Sequence, residues 1–182
     1  MQDLSLNILD IVDNSVKANA KNINISIAAN NGMLTIEVAD DGCGMDKDFL
    51  KKVTDPYTTT RTTRNIGLGI PLFKMEAEMS GGEFIILSEK NKGTTVKATF
   101  EIDNIDRPPL GDIAATVAAL LPACTKCDMV FVFSVNGVGF TFDTRELKEQ
   151  LDGDSVDEPY VLQFVKNMIK ENLTSILGGV IL

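Results

Sequence analysis

Two side chains with hard oxygen donors lie four residues apart near the start of the chain, in Asp10-Ile11-Val12-Asp13-Asn14-Ser15. The apolar spacing around them predicts a helix, on which Asp10 and Asn14 share one face with Asn7. A carboxylate and an amide oxygen suit Mg²⁺, which takes few protein ligands and adds water and phosphate oxygens. The solvated face of an ordinary amphipathic helix has the same pattern, so both interpretations stay open at this point.

A glycine-containing loop follows a predicted strand, with the sequence Asp40-Asp41-Gly42-Cys43-Gly44-Met45. Glycine lets a backbone approach a flat ligand closely, and a carboxylate can accept a hydrogen bond from an amino group. A simple turn between a strand and a helix has a similar composition. We expect Cys43 to be a small buried residue.

Another pair of glycines opens a predicted helix, in Gly67-Leu68-Gly69-Ile70-Pro71. Amide groups at a helix N-terminus bind anions, and glycine allows phosphate to come close. The preceding loop, residues 58–64, adds hydroxyl and guanidinium groups that suit a polyphosphate, although a flexible solvated loop has the same composition. The motif matches neither the dinucleotide-binding fingerprint nor the P-loop. A fourth short motif, Gly93-Thr94-Thr95, is a turn into a strand and indicates little by itself.

Hydrophobic periodicity places these motifs on defined elements. The pattern predicts a helix near residues 4–18, a β-hairpin over 23–38, a short helix capped by Asp46, a helix from residue 67 that ends at Gly81-Gly82, and strands near 84–88 and 95–102. The four motifs therefore fall on a helix, a loop, a helix start and a strand start.

This order resembles the N, G1, G2 and G3 boxes of the GHKL superfamily, which includes gyrase B subunits, ninety-kilodalton heat-shock chaperones, mismatch-repair MutL, histidine kinases and dehydrogenase kinases. The first two motifs look closest to MutL, and the last two look closer to the kinases. The resemblance covers residues 4–102. It implies a Bergerat-type α/β sandwich, in which a mixed, largely antiparallel sheet has helices on one face. It also implies ATP and Mg²⁺ as ligands.

The same resemblance gives the residues their roles. Asn14 would ligate Mg²⁺, and Asp10 takes the place of a catalytic glutamate, although it is one methylene shorter. Asp40 would accept a hydrogen bond from the adenine amino group, and Thr94 would support adenine recognition. The other nucleotide contacts would come from the glycine loops and from a lid of residues 55–66: Gly42, Gly44, Met45, Thr59, Arg61, Gly67, Leu68 and Gly69.

The remaining sequence predicts a second, smaller unit. After Arg107-Pro108-Pro109 come helices near 113–121, 143–151 and 159–177 and a hairpin that turns at Asn136-Gly137. We divide the chain into an ATP-binding domain, residues 1–104, and a small α+β domain, residues 105–182. We expect the second to pack on the first or on a partner and to serve as a partner-binding or regulatory module. Cys124 and Cys127 make half of a zinc site. Without histidine we expect no complete site within one chain, and the alternative is a site shared across a dimer.

Composition excludes several functions. The 182 residues carry 26 acidic and 17 basic side chains, a net charge of -9, which opposes binding to nucleic acid or anionic lipid. No apolar run is long enough for a membrane span, and we expect no signal peptide and a cytoplasmic protein. The chain has no histidine, which excludes a histidine nucleophile or phosphohistidine on this chain. The oligomeric state stays open.

The layout, with the segment 106–112, also resembles stand-alone ATP-binding proteins of anaerobic bacteria that are associated with iron-only hydrogenase and NADH-oxidising subunits. This implies a protein partner, either a substrate or a regulated complex, including a hydrogenase-related one. Kinase-like features in the second half of the domain favour a kinase that phosphorylates its partner in trans, with Asp10 as the base. The alternatives are an ATP-dependent switch or slow ATPase, and a catalytically idle ATP sensor.

Overall fold

The computed structural model describes residues 3–53, 69–179 and 182. Its helices are α1 (Leu4–Lys17), α2 (Lys47–Val53), α3 (Gly69–Met79), α4 (Ile113–Leu120), α5 (Thr144–Gln150) and α6 (Pro159–Leu177), with a 3₁₀ helix at Leu121–Thr125. Its strands are β1 (Asn22–Asn30), β2 (Met33–Asp40), β3 (Phe84–Glu89), β4 (Gly93–Glu101), β5 (Asp128–Val135) and β6 (Val138–Asp143). Each lies within a few residues of its predicted position. No helix in the described ranges is long and apolar enough to cross a membrane.

The strands of the described chain form one mixed sheet in the order β3-β4-β2-β1-β5-β6. Neighbouring strands are antiparallel except β1 and β5, which are parallel. In β1, Ile23, Ile25 and Ile27 are buried, while Asn22 and Asn24 on the opposite face are exposed. Helices α1, α3, α4 and α6 contribute to the core on the buried face. The α/β fold, a mixed and largely antiparallel sheet with helices on one face, is confirmed.

Helix α1 forms because apolar residues recur every three or four positions along it. Leu4, Ile8 and Ile11 are buried on one face against the sheet. Asp3 caps its N-terminus, since the carboxylate accepts a hydrogen bond from the backbone N–H of Leu6 at 3.2 Å. The helix ends before Asn19, whose φ of 57° cannot continue it. The helix that carries Asp10 and Asn14 is therefore fixed at both ends and along one face.

Helix α3 is held on the sheet by an aromatic contact. Phe73 is fully buried, with its ring centroid 5.6 Å from that of Phe100 on β4 and 6.3 Å, edge-on, from that of Phe84 on β3. Aromatic pairs at these separations add stability beyond the apolar area they bury. This contact fixes the middle of α3 against the sheet.

The C-terminal residues continue the same sheet. Strand β5 pairs with β1 in parallel, with Phe131 opposite Ile25 and Phe133 opposite Ile27. Both phenylalanines are fully buried in the core that also contains the β1 side chains. Residues 105–182 thus share a sheet and a core with the first hundred residues. The division of the chain at residue 104 stays a prediction.

The two neighbouring cysteines lie in this shared core. The Cys124 thiol donates to the Leu120 carbonyl at 3.6 Å, and the Cys127 thiol donates to the Ala123 carbonyl at 3.4 Å. Burial raises the pKa of Cys124 to about 12 and also raises the pKa of Cys127. Both therefore stay protonated near neutral pH. Among the described residues, no group of three or more histidine, cysteine or acidic side chains could hold a metal.

Removing residues 105–182 should destabilise the remaining chain. Strand β1 would become an edge strand, and its buried face would lose the two phenylalanines of β5. We expect residues 1–104, expressed alone, to unfold at a lower temperature than the full chain and to bind a hydrophobic dye. Circular dichroism melts of both proteins measure this. A fragment that melts cooperatively at the full-chain temperature would show that the C-terminal strands contribute no stability to the rest.

Candidate functional site

A cavity of about 390 Å³ opens between the C-terminal half of α1 and the loop that follows β2. Its size falls within the range of small-molecule sites. Five of the residues predicted from the sequence line it, namely Asn14, Asp40, Gly44, Met45 and Thr94. Sequence patterns did not predict the apolar part of the wall, which is formed by Ile11, Ala18, Phe49, Val53, Ile70 and Val96. Such residues carry no chemical signal in a sequence, because they look like ordinary core positions.

The second and fourth motifs meet on one wall of this cavity. Asp40 ends β2 and lies directly opposite Thr94, near the start of β4, in the antiparallel register. Two donors orient the Asp40 carboxylate: the Ser15 hydroxyl donates to Oδ2 at 2.7 Å, and the Gly42 N–H donates to Oδ1 at 2.9 Å. A carboxylate has about four acceptor positions, so about two remain for a ligand. The wall can therefore accept hydrogen bonds from an amino group.

The adjacent carboxylate has a different role. Asp41 is exposed, and its Oδ1 accepts from the backbone N–H groups of Lys21 at 2.7 Å and Asn22 at 2.9 Å. Its Oδ2 accepts from the Asn22 side-chain amide at 2.7 Å, and this bond is the main reason that the pKa of Asp41 is lowered. Asp41 thus ties the loop after β2 to the start of β1 and is not part of the cavity wall.

A hydroxyl that the sequence analysis missed supports Thr94. Ser88 Oγ lies 2.9 Å from Thr94 Oγ1, accepts from the Met45 N–H at 2.8 Å and donates to the Gly93 carbonyl at 3.0 Å. Either hydroxyl can donate in the Ser88–Thr94 contact; when the Ser88 hydrogen goes to Gly93, Thr94 donates to Ser88 and the Thr94 oxygen can accept from a ligand. In the sequence, Ser88 follows four apolar residues of a predicted strand, and this pattern could have indicated a polar role for it.

The glycine loop is clamped from two sides. The Cys43 N–H donates to the Ala18 carbonyl at 2.9 Å, and the Cys43 carbonyl accepts from the Asn91 N–H at 2.7 Å. Gly44 has a φ of 60°, and a β carbon on it would lie 2.0 Å from the Glu89 carbonyl oxygen. The prediction that Cys43 is buried is wrong: Cys43 is exposed and lines the cavity. The backbone of Cys43 is hydrogen-bonded to Ala18 and Asn91, whereas its side chain is exposed.

Helix α1 supplies the next wall. Asn14 is partly exposed, and its side chain makes no hydrogen bond within the described residues, so its amide oxygen is available to a ligand. Lys17 is a basic side chain that was not predicted to contribute to the site. It also lines the cavity, and it forms an ion pair with Asp13 at 2.5 Å. One amide oxygen facing a cavity fits Mg²⁺, which needs few protein ligands when phosphate and water complete its shell.

Asn7 lies on the helical face of Asp10 and Asn14, as predicted, but α3 covers it. It is fully buried, and its Nδ2 donates to Glu76 Oε2 of α3 at 2.5 Å. Asn7 and Asn14 are two helical turns apart, but α3 covers α1 at the level of Asn7 and not at the level of Asn14. Asn7 therefore cannot replace Asn14 as a ligand in the cavity.

Asp10 lies at the edge of the site. It is exposed, and a β carbon on Gly69 would come within 3.0 Å of both Cβ and Oδ2 of Asp10. Gly69 is the first residue of α3, so Asp10 lies beside the N-terminus of that helix, while Ile70 faces the cavity. Four predicted contacts, Thr59, Arg61, Gly67 and Leu68, lie outside the described residues.

Comparison with known families agrees with this arrangement. Residues 2–104 match the family described as "Histidine kinase-, DNA gyrase B-, and HSP90-like ATPase". The chain belongs to this family. Its members are ATPase domains, so membership implies ATP binding.

Curated relatives of this ATPase domain come from two functional groups. It is 31% identical to the histidine protein kinase DivJ of Caulobacter vibrioides over 101 residues. This aligned segment covers 52% of this chain and 17% of DivJ. It is 44% identical to the DNA mismatch repair protein MutL of Clostridium acetobutylicum over 55 residues, and this aligned segment covers 30% of this chain and 9% of MutL. The matches thus span less than a fifth of either relative, and they bear out the resemblance to both groups.

A solved structure shares the fold of this ATPase domain. The N-terminal domain of a DNA repair protein superposes with a TM-score of 0.51 at 17% identity, covering 79% of this chain and 52% of that one. At this identity the similarity concerns the fold alone. It covers more of the chain than the 103 residues matched by the family.

Replacing Gly44 should disrupt the cavity of the ATPase domain. Gly44→Ala adds a β carbon 2.0 Å from the Glu89 carbonyl oxygen. The control, Gly32→Ala, adds a β carbon with no atom within 4 Å, at a residue whose φ of 77° is also left-handed. Both variants carry the strain of a left-handed alanine, about 1–2 kcal/mol. We expect only Gly44→Ala to lower nucleotide affinity, and to lose more stability than Gly32→Ala in urea denaturation. Equal effects of the two substitutions would contradict a steric role of the clamp.

Proposed function

We propose that this protein binds Mg²⁺-ATP in the cavity and transfers the γ-phosphoryl group to a protein partner in trans. One observation carries the proposal: Asp40 and Thr94 lie opposite each other on the wall of a cavity that also contains Asn14 and the start of α3. Membership of an ATPase family supports the choice of nucleotide.

Adenine fits the wall formed by Asp40. Its exocyclic amino group is a donor, and the Asp40 carboxylate retains acceptor positions after binding Ser15 and Gly42. Guanine presents a carbonyl oxygen at the corresponding position, which a carboxylate repels. Apolar side chains of the wall, such as Ile70 and Val96, suit the faces of the ring.

The triphosphate fits the end of the cavity between α1 and α3. Asn14 would hold Mg²⁺, and the amide groups at the start of α3 suit phosphate oxygens. When bound, Mg²⁺ supplies positive charge that offsets the charge developing on the transferred phosphoryl group. Lys17 lines the same cavity and adds a further positive charge.

Asp10 is the group that we assign to the chemical step. Its carboxylate would take the proton from an acceptor oxygen while that oxygen bonds to the γ-phosphorus and the bond to ADP breaks. General-base help of this kind contributes about 100- to 10,000-fold. Asp10 is exposed beside the start of α3, which a protein acceptor approaching from solvent can reach.

The alternative is an ATP-dependent switch or slow ATPase, in which Asp10 activates water and the nucleotide state changes affinity for a partner. The 44% identity to a MutL segment favours this candidate, since that segment is similar to a repair protein rather than a kinase. In both cases we propose a cytoplasmic protein with a protein partner, for which the resemblance to hydrogenase-associated proteins suggests a hydrogenase-related complex.

Asp40 should set nucleotide selectivity. We expect the protein to bind ATP well above GTP in calorimetry, and Asp40→Asn to weaken ATP binding about 10- to 100-fold. The amide replaces one acceptor oxygen by a donor, and a lost hydrogen bond at a buried contact costs about 1–3 kcal/mol. Asp41→Asn makes the same change at an exposed residue and should keep the ATP-to-GTP ratio of the unmodified protein. Equal affinity for ATP and GTP would remove the proposed role of Asp40.

Asp10 should separate chemistry from binding. Asp10→Asn keeps the size of the side chain and cannot take a proton, so we expect at least about 100-fold slower turnover with little change in ATP affinity. The measurement is ADP formation at saturating ATP in a native extract that supplies the partner, with calorimetry for affinity. Asp13→Asn, the same change at an exposed residue of α1, is the control. Preserved turnover in Asp10→Asn would favour ATP sensing over catalysis.

A further inference from the structure

One polar pair interrupts the contact between α1 and α3. Asn7 is fully buried on α1, and its Nδ2 donates to Glu76 Oε2 on α3 at 2.5 Å. The hydrophobic core includes Ile8, which follows Asn7 on α1, and Phe73, which precedes Glu76 by three residues on α3. A buried amide is thus hydrogen-bonded to a half-buried carboxylate beside residues of the apolar core.

This pair is not optimised for stability. Asn7 Oδ1 is buried and has no hydrogen-bond partner among the described residues, the one side-chain atom of this kind there. Burial also raises the pKa of Glu76, while the hydrogen bond from Asn7 opposes that shift. An unpartnered buried oxygen and a desolvated carboxylate both cost stability, and two apolar side chains of similar size would avoid that cost.

The position of the pair connects it to the nucleotide site. Asn7 precedes Asp10 by one helical turn on α1, and Glu76 follows Gly69 by two turns on α3. Gly69 itself approaches Asp10 closely. The two helices are therefore joined by a close contact at the edge of the cavity and by a directional hydrogen bond one turn away on α1 and two turns away on α3.

We propose that Asn7 and Glu76 are positioning residues, which hold the N-terminus of α3 in register with Asp10 and Asn14 so that it can bind the phosphates of the nucleotide. Apolar contacts are not directional, and a helix packed by them alone can rotate or slide by a fraction of a turn. A hydrogen bond between fixed atoms opposes that movement. The proposal rests on the proposed function, because the pair would position the part of that same cavity that binds the phosphates.

The test compares ATP with adenosine, which shares the base-binding wall but has no phosphate. In the double variant Asn7→Leu/Glu76→Met, both side chains keep a similar size and lose the hydrogen bond. We expect the ratio of ATP affinity to adenosine affinity to fall at least tenfold, with adenosine affinity unchanged. The melting temperature should stay the same or rise, since the buried polar atoms are gone. Calorimetry and circular dichroism measure these quantities.

Two further variants control for charge and for general damage. Glu76→Gln keeps an acceptor for Asn7 Nδ2 and adds a donor that suits Asn7 Oδ1, so it should retain the ratio of the unmodified protein. Glu78→Gln makes the same change on the same helix at an exposed residue, which pairs with Lys74 at 3.9 Å, and should also retain it. If the double variant does not fold, Asn7→Ala is used for the same comparison of ATP with adenosine.

Each other outcome overturns the proposal. An unchanged ratio in the double variant would show that the pair does not position α3. A parallel loss of ATP and adenosine affinity would show only structural damage. A ratio that falls as far in Glu76→Gln would assign the effect to the charge of Glu76 instead of the hydrogen bond. An unmodified protein that binds neither ATP nor adenosine would overturn the proposed function itself. This failure is distinguishable from failure of the positioning proposal, because it appears before any variant is measured.

Discussion

The antiparallel register of β2 and β4 is the constraint on which the candidate site depends. It sets Asp40 opposite Thr94, although the two residues belong to motifs far apart in the sequence. Because side chains alternate along a strand, a slip of one residue would turn either side chain to the other face of the sheet. The buried side chains of both strands oppose such a slip, since Ile36 and Phe100 would lose their place in the core. The same apolar pattern that stabilises the sheet therefore also aligns the polar wall of the cavity.

Neighbouring residues of the glycine loop divide structural and binding roles between them. Asp41 binds the start of β1, and Asp40 faces the cavity, held in place by Ser15 and Gly42. The loop can follow this path because Gly44 has a left-handed backbone and passes close to the Glu89 carbonyl. Orientation by fixed hydrogen bonds before a ligand arrives reduces the ordering that binding would otherwise require.

The helical layer connects the site to the rest of the molecule. Phe73 anchors α3 to β3 and β4, and the Asn7–Glu76 hydrogen bond joins it to α1. On the other side of β1, strand β5 adds Phe131 to the same core. The wall of the cavity and the C-terminal residues thus share one core through α1 and β1. This continuity is compatible with both the kinase and the switch, since either must pass a signal or a phosphoryl group to a partner.

The sequence by itself determined the elements of this protein and the identity of the motifs. Helical spacing along α1, alternation in β1 and β2, and glycine or asparagine at turns are local properties, so they could be predicted without the fold. The order of the motifs likewise indicated the ATPase family. Tertiary structure decided which faces are covered. It buried Asn7 beneath α3, exposed Cys43, separated Asp40 from Asp41 and placed β5 beside β1. These outcomes depend on contacts between residues distant in the chain, and periodicity within one segment contains no information about what packs against it.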